Sequence, residues 1–334
     1  MGLNIVHISD IHIKNSGDLV FSRKEQIIAA CKREIHEKSD VIIVCSGDIA
    51  FSGEKEQYDL FESFLSDIIQ SIQEEKKANV QFVSVPGNHD CHFVKNDSVR
   101  NTLIDGAIPD NIDDGYYQTV SKVQTEYISF AEKHNIPSDK LISTIEVDIA
   151  QGKVLFVLIN TAWMSKLVDL PGKIIIPKTF LPDIDTHKYK AVFAVLHHPF
   201  SWLNPNYKQE YISYIRRTAD MALVGHEHQK DQYKTIGEDF SLVFSHAKEL
   251  QDSNSTESAF SVISFDESFQ NYTTYGFMWD GSQYVESSSD VKSFHKNVAS
   301  YTSALYPNEK AIIEANDAGM LKNNQSLLTE RGYQ

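Results

Sequence analysis

Five short apolar runs, each followed within a few residues by aspartate, asparagine or histidine, constrain the fold of this 334-residue chain more than any other feature. Predominantly apolar runs of this length are typical of strands that are buried on both faces of a sheet. The polar residues at their ends then lie at the carboxyl edge, where open α/β sheets bind their ligands. The five runs span residues 3–8, 41–44, 80–85, 191–196 and 221–224.

The residues that follow these runs are all of metal-ligand types. Carboxylates, amide oxygens and imidazoles are the donors that divalent ions take in proteins. One such block is a weak signal, because polar residues also form turns at strand ends. Five blocks in one chain favour a shared metal site. In chain order the blocks are Asp10-Ile11-His12, Gly47-Asp48, Gly87-Asn88-His89-Asp90, His197-His198 and Gly225-His226-Glu227-His228.

The segments between the runs predict how the strands are joined. Residues 21–38 and 54–77 have helical apolar periodicity and separate the first three runs. The resulting βαβαβ order implies parallel strands with right-handed crossovers. Further runs predict two more strands in mid-chain and a meander of antiparallel strands after residue 231. These runs span 141–149, 153–160, 232–236, 240–244, 259–265 and 272–279.

Two segments depart from this pattern and set the predicted domain organisation. Residues 91–115 are polar and long for a loop, and a helix is predicted at 116–134. We therefore expect residues 91–134 to form an inserted helical cap or loop over the site. From residue 287 onward large apolar side chains become scarce. We predict a main domain at 1–286 and a polar C-terminal extension at 287–334, which is either docked, loose or a linker to further domains.

Charge limits the classes of partner. The formal net charge is -15, which argues against a protein coated with basic surface. Nucleic-acid affinity draws mostly on Lys and Arg contacts to phosphate. A nuclease is not excluded, because bound metals supply positive potential of their own. Arg23, Lys95 and Arg100 are candidate phosphate contacts, although a solvated charge is the simpler expectation for each.

Three features of the sequence predict the cellular compartment of the protein. No stretch approaches the ~20 apolar residues of a membrane span. The N-terminus enters a strand without a charged region or a cleavage site. Three cysteines are too few for a disulfide framework. We therefore expect a cytoplasmic protein with no membrane partner.

The order and spacing of the five blocks resemble the signature of the calcineurin-like metallophosphoesterase superfamily, which is D-x-H, G-D, G-N-H-[DE], H and G-H-x-H. All five blocks are present in order, from Asp10 to His228. The resemblance implies an α/β fold, namely a four-layer αββα sandwich of two mixed sheets with the metal site at one edge. It also implies an enzyme, a metal-dependent phosphoric ester hydrolase.

The resemblance also assigns roles to the block residues. It implies two divalent ions bridged by Asp48, with Mn²⁺ expected and Fe or Zn as alternatives that suit the same donors. A hydroxide between the ions would be the nucleophile. His89 would donate a proton to the leaving group, with Asp90 setting its orientation. His198 is expected to contact the substrate or a ligand. The implied ligands are Asp10, His12, Asp48 and His228 for one ion, and Asp48, Asn88, His197 and His226 for the other.

The residues that follow the second block limit the class of substrate. The protein Ser/Thr phosphatase branch continues with Asp-Arg-Gly, whose arginine binds a phosphomonoester, and it has Glu after its Asn-His. This chain has Ile49-Ala50-Phe51-Ser52-Gly53 after Asp48, and it has Asp90 after His89. Residues 47–58 and the His-His-Pro-Phe run are more similar to the cyclic-nucleotide phosphodiesterase-like branch. The Gly-His-Glu-His block also resembles the double-strand-break repair nucleases of the superfamily.

We therefore predict a phosphodiesterase that hydrolyses nucleotide or nucleic-acid diesters. Two alternatives stay open. One is a phosphomonoesterase. The other is a nuclease or regulatory module of a larger multidomain or multi-subunit assembly, with a partner protein or further domains reached through the C-terminal tail.

Overall fold

The computed structural model describes residues 2–227, 232–236, 241–251 and 256–296. Within these ranges the chain forms two six-stranded sheets and seven α-helices. The strands are β1 Leu3–Ile8, β2 Asp40–Cys45, β3 Asn79–Ser84, β4 Ile142–Ile149, β5 Gly152–Ile159, β6 Ala191–Leu196, β7 Met221–Val224, β8 Gln232–Ile236, β9 Ser241–His246, β10 Ala259–Phe265, β11 Asn271–Trp279 and β12 Tyr284–Ser293. The helices are α1 Leu19–Ser22, α2 Lys24–Glu34, α3 Lys55–Lys76, α4 Ser98–Asp105, α5 Asp114–Ser121, α6 Thr125–Lys133 and α7 Lys208–Thr218.

Both sheets are mixed. The first has the order β12-β11-β10-β1-β2-β3, and the second has the order β4-β5-β6-β7-β9-β8. Strands β1, β2 and β3 are parallel, which confirms the predicted βαβαβ opening. Strand β10 pairs with β1 in the antiparallel direction. In the second sheet β5, β6, β7 and β9 are parallel, while the edge strands β4 and β8 are antiparallel.

The predicted single meander after residue 231 is wrong. Strands β8 and β9 belong to the second sheet, whereas β10, β11 and β12 extend the first. Period-2 patterning identifies a half-buried strand, but it carries no information about which sheet the strand joins.

The last strand also crosses the predicted domain boundary at 286/287. Strand β12 pairs with β11 from Tyr284 to Ser293. An edge strand needs few apolar side chains, and Ser287-Ser288-Ser289 therefore resembled a tail in the sequence. Residues 297–334 lie outside the described residues, so the predicted linker there stays a prediction.

The apolar core lies in two layers, and β5 shows how one strand serves both. Val154, Phe156 and Leu158 face the first sheet, and the residues between them pack on the other side. Helices α2 and α3 cover the outer face of the first sheet, and α7 packs in the core on the outer face of the second. The arrangement confirms the predicted four-layer αββα sandwich.

The predicted cap segment, residues 91–134, is helical and is anchored to both layers. Helix α6 packs Tyr127 and Phe130 into the core beside α3, while α5 places Tyr117 and Val120 in the outer core of the second sheet. Arg100 of α4 is fully buried and donates to the carbonyl oxygens of residues 120, 163 and 165. The segment is therefore part of the body of the fold.

In the part of the chain that the structure describes, no helix is both long and apolar enough to span a membrane.

Candidate metal centre

Backbone hydrogen bonds join the loop after β1 to the loop after β2. The amide of Asp10 donates to Gly47 O at 3.1 Å, and the amides of Ile11 and His12 both donate to Asp48 O, at 2.8 and 3.0 Å. These bonds continue the parallel pairing of β1 and β2 beyond the sheet. They place Asp10, His12 and Asp48 at one edge.

Four of the predicted ligands have a left-handed backbone. Asp10, His12, Asp48 and His226 have φ values of 53°, 50°, 55° and 72°. Asp and His tolerate this region better than most residues, but each such residue still costs about 1–3 kcal/mol. Strained residues of this kind cluster at functional sites. The local turns direct these side chains towards one another.

Asp48 lies at the centre of the converging side chains. Its Oδ2 is 3.3 Å from His197 Nε2 and 3.8 Å from His12 Nε2. The Asp10 Oδ1 atom is in turn 3.9 Å from His12 Nε2. A carboxylate with imidazoles from both sheets around it is placed to bridge two cations.

A second group of donors surrounds His197. Its Nε2 is 3.1 Å from Asn88 Oδ1 and 3.2 Å from His226 Nδ1. The His226 amide donates to Asp10 Oδ2 at 3.1 Å, which ties the loop after β7 to the loop after β1. The edges of the two sheets thus contribute to one cluster.

The glycines of two blocks are required by close packing on the ligands. A Cβ at Gly87 would lie 2.1 Å from Asp48 Oδ1 and 2.5 Å from Asp48 N. A Cβ at Gly225 would lie 2.3 Å from Ser9 Oγ and 3.0 Å from His197 Nδ1. Only glycine lets these loops approach the ligand loops so closely.

His197 is oriented by the backbone of the first sheet. Its Nδ1 donates to Ser46 O at 2.9 Å, which leaves Nε2 to face the cluster. Metal-binding histidines generally have such an acceptor on their other nitrogen. The Ser46 hydroxyl is itself 2.9 Å from Nε2 of the buried His7. Sequence reasoning missed Ser46 because a backbone acceptor leaves no signal in residue type.

Asp48 and His197 each stabilise the charged form of the other. Burial opposes ionisation of Asp48, but the imidazoles of His197 and His12 hold the pKa of Asp48 well below its usual range. Burial likewise opposes protonation of His197, yet Asp48 raises the pKa of His197 to about 9. A divalent cation would replace that proton, because metals bind neutral imidazole.

His89 lies at the rim of the cluster and is held by two bonds. Its amide donates to Asp48 Oδ1 at 2.7 Å, and its Nδ1 donates to Phe51 O at 2.8 Å. Its ring packs edge-on against His12, with centroids 4.5 Å apart. The Nε2 atom is therefore the one that remains for substrate.

Asp90 has a different position from the predicted one. Its carboxylate accepts from the amides of Gly87 and Ala50, at 2.8 and 2.9 Å, and from the Tyr58 hydroxyl at 2.9 Å. The partner of the His89 ring is the Phe51 carbonyl, so Asp90 acts on the loops rather than on the imidazole. Burial, together with the charge of Asp48, raises the pKa of Asp90 to about 6.

His198 is fully buried behind the cluster. Its amide donates to Thr161 Oγ1 at 2.9 Å, and its Nδ1 is 3.1 Å from the same oxygen. Its ring lies 4.4 Å from the ring of His226, centroid to centroid. Burial and the neighbouring imidazoles hold the pKa of His198 well below its usual range, so the ring is neutral.

The three candidate phosphate contacts are engaged elsewhere. Arg23 donates to a carbonyl oxygen at residue 256 and stacks on Trp279. Lys95 pairs with Glu126 at 2.7 Å. Arg100 is buried among carbonyl oxygens, because a guanidinium that satisfies its donors can enter the interior. The expectation of a solvated charge is therefore wrong for Arg23 and Arg100, which are buried and donate to backbone carbonyl oxygens.

The residues present fit a pair of divalent ions. Carboxylate and imidazole ligand atoms converge in three groups, His197/His198/His226, His12/Asp48/His89 and Asp10/Asp48/His197, and Asp48 belongs to two of them. The amide oxygen of Asn88 adds a further donor, 3.1 Å from His197 Nε2. His228, the remaining predicted ligand, lies outside the described residues. The structure brings together Asp10, His12, Asp48, Asn88, His197 and His226.

Comparison with known proteins identifies the family to which the chain is similar. A family model described as calcineurin-like phosphoesterase matches residues 3–230. The chain is 10% identical to the solved structure of the calcineurin-like phosphoesterase YfkN from Bacillus subtilis, covering 96% of this chain and 98% of that chain with a TM-score of 0.42. It is 12% identical to Vps29 from Entamoeba histolytica complexed with Zn²⁺, covering 87% and 99% with a TM-score of 0.36. No curated protein matches the chain.

Proposed function

This chain belongs to the calcineurin-like phosphoesterase family, and we propose that it is a phosphodiesterase acting on nucleotide or nucleic-acid diesters. Family membership and the donor cluster make it a metal-dependent phosphoesterase. The preference for a diester and the assignment of individual residues are the proposal.

The proposed metal ligands are those that the resemblance implies. Asp10, His12, Asp48 and His228 would hold one ion, and Asp48 would share the other with Asn88, His197 and His226. Two bound divalent ions supply Lewis acidity and a nucleophile at neutral pH. The imidazole and oxygen donors suit Mn²⁺, which we propose as the ion, and they also suit Fe and Zn.

His89 would act as the general acid. Its Nδ1 donates to the Phe51 carbonyl oxygen, which fixes the orientation of the ring and leaves Nε2 for the substrate. Its Nε2 would then give a proton to the leaving oxygen. The bond from its amide to Asp48 Oδ1 fixes the distance between the acid and the ligand loop. Asp90 would support this geometry by holding the loops after β2 and β3 together.

One observation carries the preference for a diester. The loop after Asp48 presents the ring of Phe51 beside His89, with ring centroids 5.4 Å apart, and it lacks the arginine that this loop has in the phosphatase branch. A monoester carries close to two negative charges at neutral pH and needs that cation more than a diester does. Arg23 and Arg100 donate to carbonyl oxygens and do not replace it, and Lys14 beside Phe51 offers a point charge rather than a bidentate guanidinium.

The first test compares two chromogenic substrates. Mn-loaded protein should hydrolyse bis-p-nitrophenyl phosphate faster than p-nitrophenyl phosphate, with both activities lost in Asp48→Asn. A monoester preference would overturn the proposal in favour of a phosphatase. Absence of turnover on either substrate, with two ions bound per chain, would overturn it as well.

The role of His89 has its own test. His89→Asn should lower kcat by about 10²–10⁴-fold on a diester with an alkoxide leaving group, because that group must be protonated as it departs. The loss should be much smaller on bis-p-nitrophenyl phosphate, whose leaving group departs as an anion. Metal content should match wild type. Equal losses on both substrates would contradict a role as acid.

The domain assignments remain part of the proposal. Residues 91–134 are proposed as a cap beside the site, supported by the 2.9 Å hydrogen bond between the hydroxyls of Ser84 and Tyr127, which joins the end of β3 to this segment. A linker role for residues beyond 296 is proposed on sequence alone.

A further inference from the structure

Lys14 lies at the mouth of the site and follows the ligand block of β1. Its Nζ is 4.2 Å from the centroid of the Phe51 ring. The other neighbour of that ring is His89, 5.4 Å away between centroids. The ammonium and the proposed general acid therefore contact the same aromatic ring at the rim of the site.

The charge of Lys14 is available to a ligand. The nearest acid, Asp18, accepts the backbone amides of Lys14 and Asn15 at 2.6 and 3.1 Å, which folds the turn that holds Lys14 in place. In the described part of the chain, no carboxylate forms an ion pair with its Nζ. The side chain is exposed. Lys95, by contrast, is paired with Glu126 at 2.7 Å.

In a strongly acidic chain, a lysine without an ion pair beside the site is a specific point of attraction for an anionic ligand. The net charge is -15, so a polyanion gains little from the general surface. An exposed ammonium contacts an aromatic ring only weakly, and a charge-assisted bond to a phosphate oxygen is stronger. A phosphate can therefore take the ammonium away from Phe51.

We propose that Lys14 binds the phosphate next to the scissile one, on the leaving-group side. A cyclic nucleotide has only the scissile phosphate and would leave Lys14 unused. An oligonucleotide has a second phosphate in that direction. The inference rests on the proposed phosphodiesterase function and deepens it, because it assigns single-stranded oligonucleotides as the substrate class.

The test uses substrates that differ in phosphate number. These are the dinucleotide TpT with one phosphate, the trinucleotide TpTpT with two, and 3′,5′-cyclic AMP, each with Mn-loaded protein. Rates on TpTpT are divided by two for its two scissile bonds. The variants are Lys14→Met and Lys14→Arg. The matched control is Lys38→Met, an exposed lysine just before β2, at the opposite edge of the sheet.

Wild type should prefer TpTpT over TpT by about 10-fold in kcat/KM, and Lys14→Met should bring that ratio close to one. The slope of log kcat/KM on TpTpT against log salt concentration should become shallower by about 0.7, the value for one phosphate contact to a single strand. Lys14→Arg should keep both the ratio and the slope. Lys38→Met should match wild type.

Two results would overturn the inference while the proposed function stands. One is an unchanged ratio and salt slope in Lys14→Met, and the other is a wild-type preference for cyclic AMP or TpT over TpTpT. If wild type cleaves none of these diesters and no bis-p-nitrophenyl phosphate, the proposed function itself fails. Metal content and thermal midpoint, measured for each variant, separate these results from misfolding.

Discussion

The loops of the two sheets contribute to one site by different means. The first-sheet loops (residues 9–13, 46–53 and 85–91) bond to one another through backbone amides and through the Asp90 carboxylate. The second-sheet loops (residues 197–199 and 225–227) bond to each other through the Gly225 amide, which donates to His197 O, and through the rings of His226 and His197, 3.2 Å apart between nitrogens. They are further aligned by the first sheet, at Ser46 and Asp10, and by Thr161, which holds His198.

The difference implies a hierarchy within the site. The first-sheet loops form a frame that is complete without the second sheet. The second-sheet ligands depend on that frame, because His197 is oriented by Ser46 O and His226 by Asp10. A substitution in the first-sheet loops should therefore weaken the binding of both ions. A substitution in the second-sheet loops should weaken the binding of one ion only.

The largest expected effect separates Asp48→Asn from His226→Ala. Asp48 is the proposed bridge, so its variant should lose both ions, while His226→Ala should lose only one. Metals per chain, measured by mass spectrometry of the desalted protein, test this. Both variants should lose activity by more than about 100-fold. Retention of one tightly bound ion in Asp48→Asn would contradict the inferred dependence of the second-sheet ligands on the first-sheet loops.

A smaller effect is expected from the two glycines. In Gly87→Ala the new Cβ meets the backbone and the carboxylate of Asp48, and metal affinity should fall by about 10–100-fold. In Gly225→Ala the closest atom is the Ser9 hydroxyl, which can rotate, and the backbone contact, to Ser46 O, is longer at 2.9 Å than the 2.5 Å contact at Gly87, so the loss should be smaller. Gly115→Ala, in helix α5 with nothing closer than 3.5 Å, is the control and should bind metal normally. Titration calorimetry with Mn²⁺ ranks the three.

The smallest effect concerns His7, which supports Ser46 from below. Burial, with a further contribution from His246, lowers the pKa of His7 to about 3. The unfolded chain therefore takes up a proton near pH 6.5 that the folded chain refuses, and stability is lost as pH falls below 6.5. Urea unfolding of metal-free protein at pH 6 and pH 5 should show a loss on the order of 1 kcal/mol per pH unit. His7→Gln should lack this part of the loss, and parallel curves for the two proteins would contradict it.

The sequence was sufficient for the parts of the site that local pattern encodes. Apolar runs predicted β1, β2, β3, β6 and β7 to within two residues, and the blocks after them predicted which side chains converge. These inferences succeed because a parallel sheet places the carboxyl ends of its strands together.

Contacts that depend on backbone position could not be predicted in this way. Ser46 and Phe51 act through carbonyl oxygens, and any residue type carries one. The resemblance assigned Asp90 to the imidazole, but the loops after β2 and β3 meet in space around its carboxylate. Arg100 was expected in solvent, and its burial depends on carbonyls brought from residues 120, 163 and 165.

The pairing of β1 with β10 has a consequence for biosynthesis. Strand β1 is central in its sheet, yet one of its two partners begins at residue 259. At ~5–20 residues per second, a ribosome needs on the order of ten seconds or more to supply that partner. Until then a strand that is fully buried in the folded protein keeps an open edge, which is a template for aggregation. Translation products that end before residue 259 should therefore be poorly soluble and should depend on chaperones, although they already contain every proposed metal ligand.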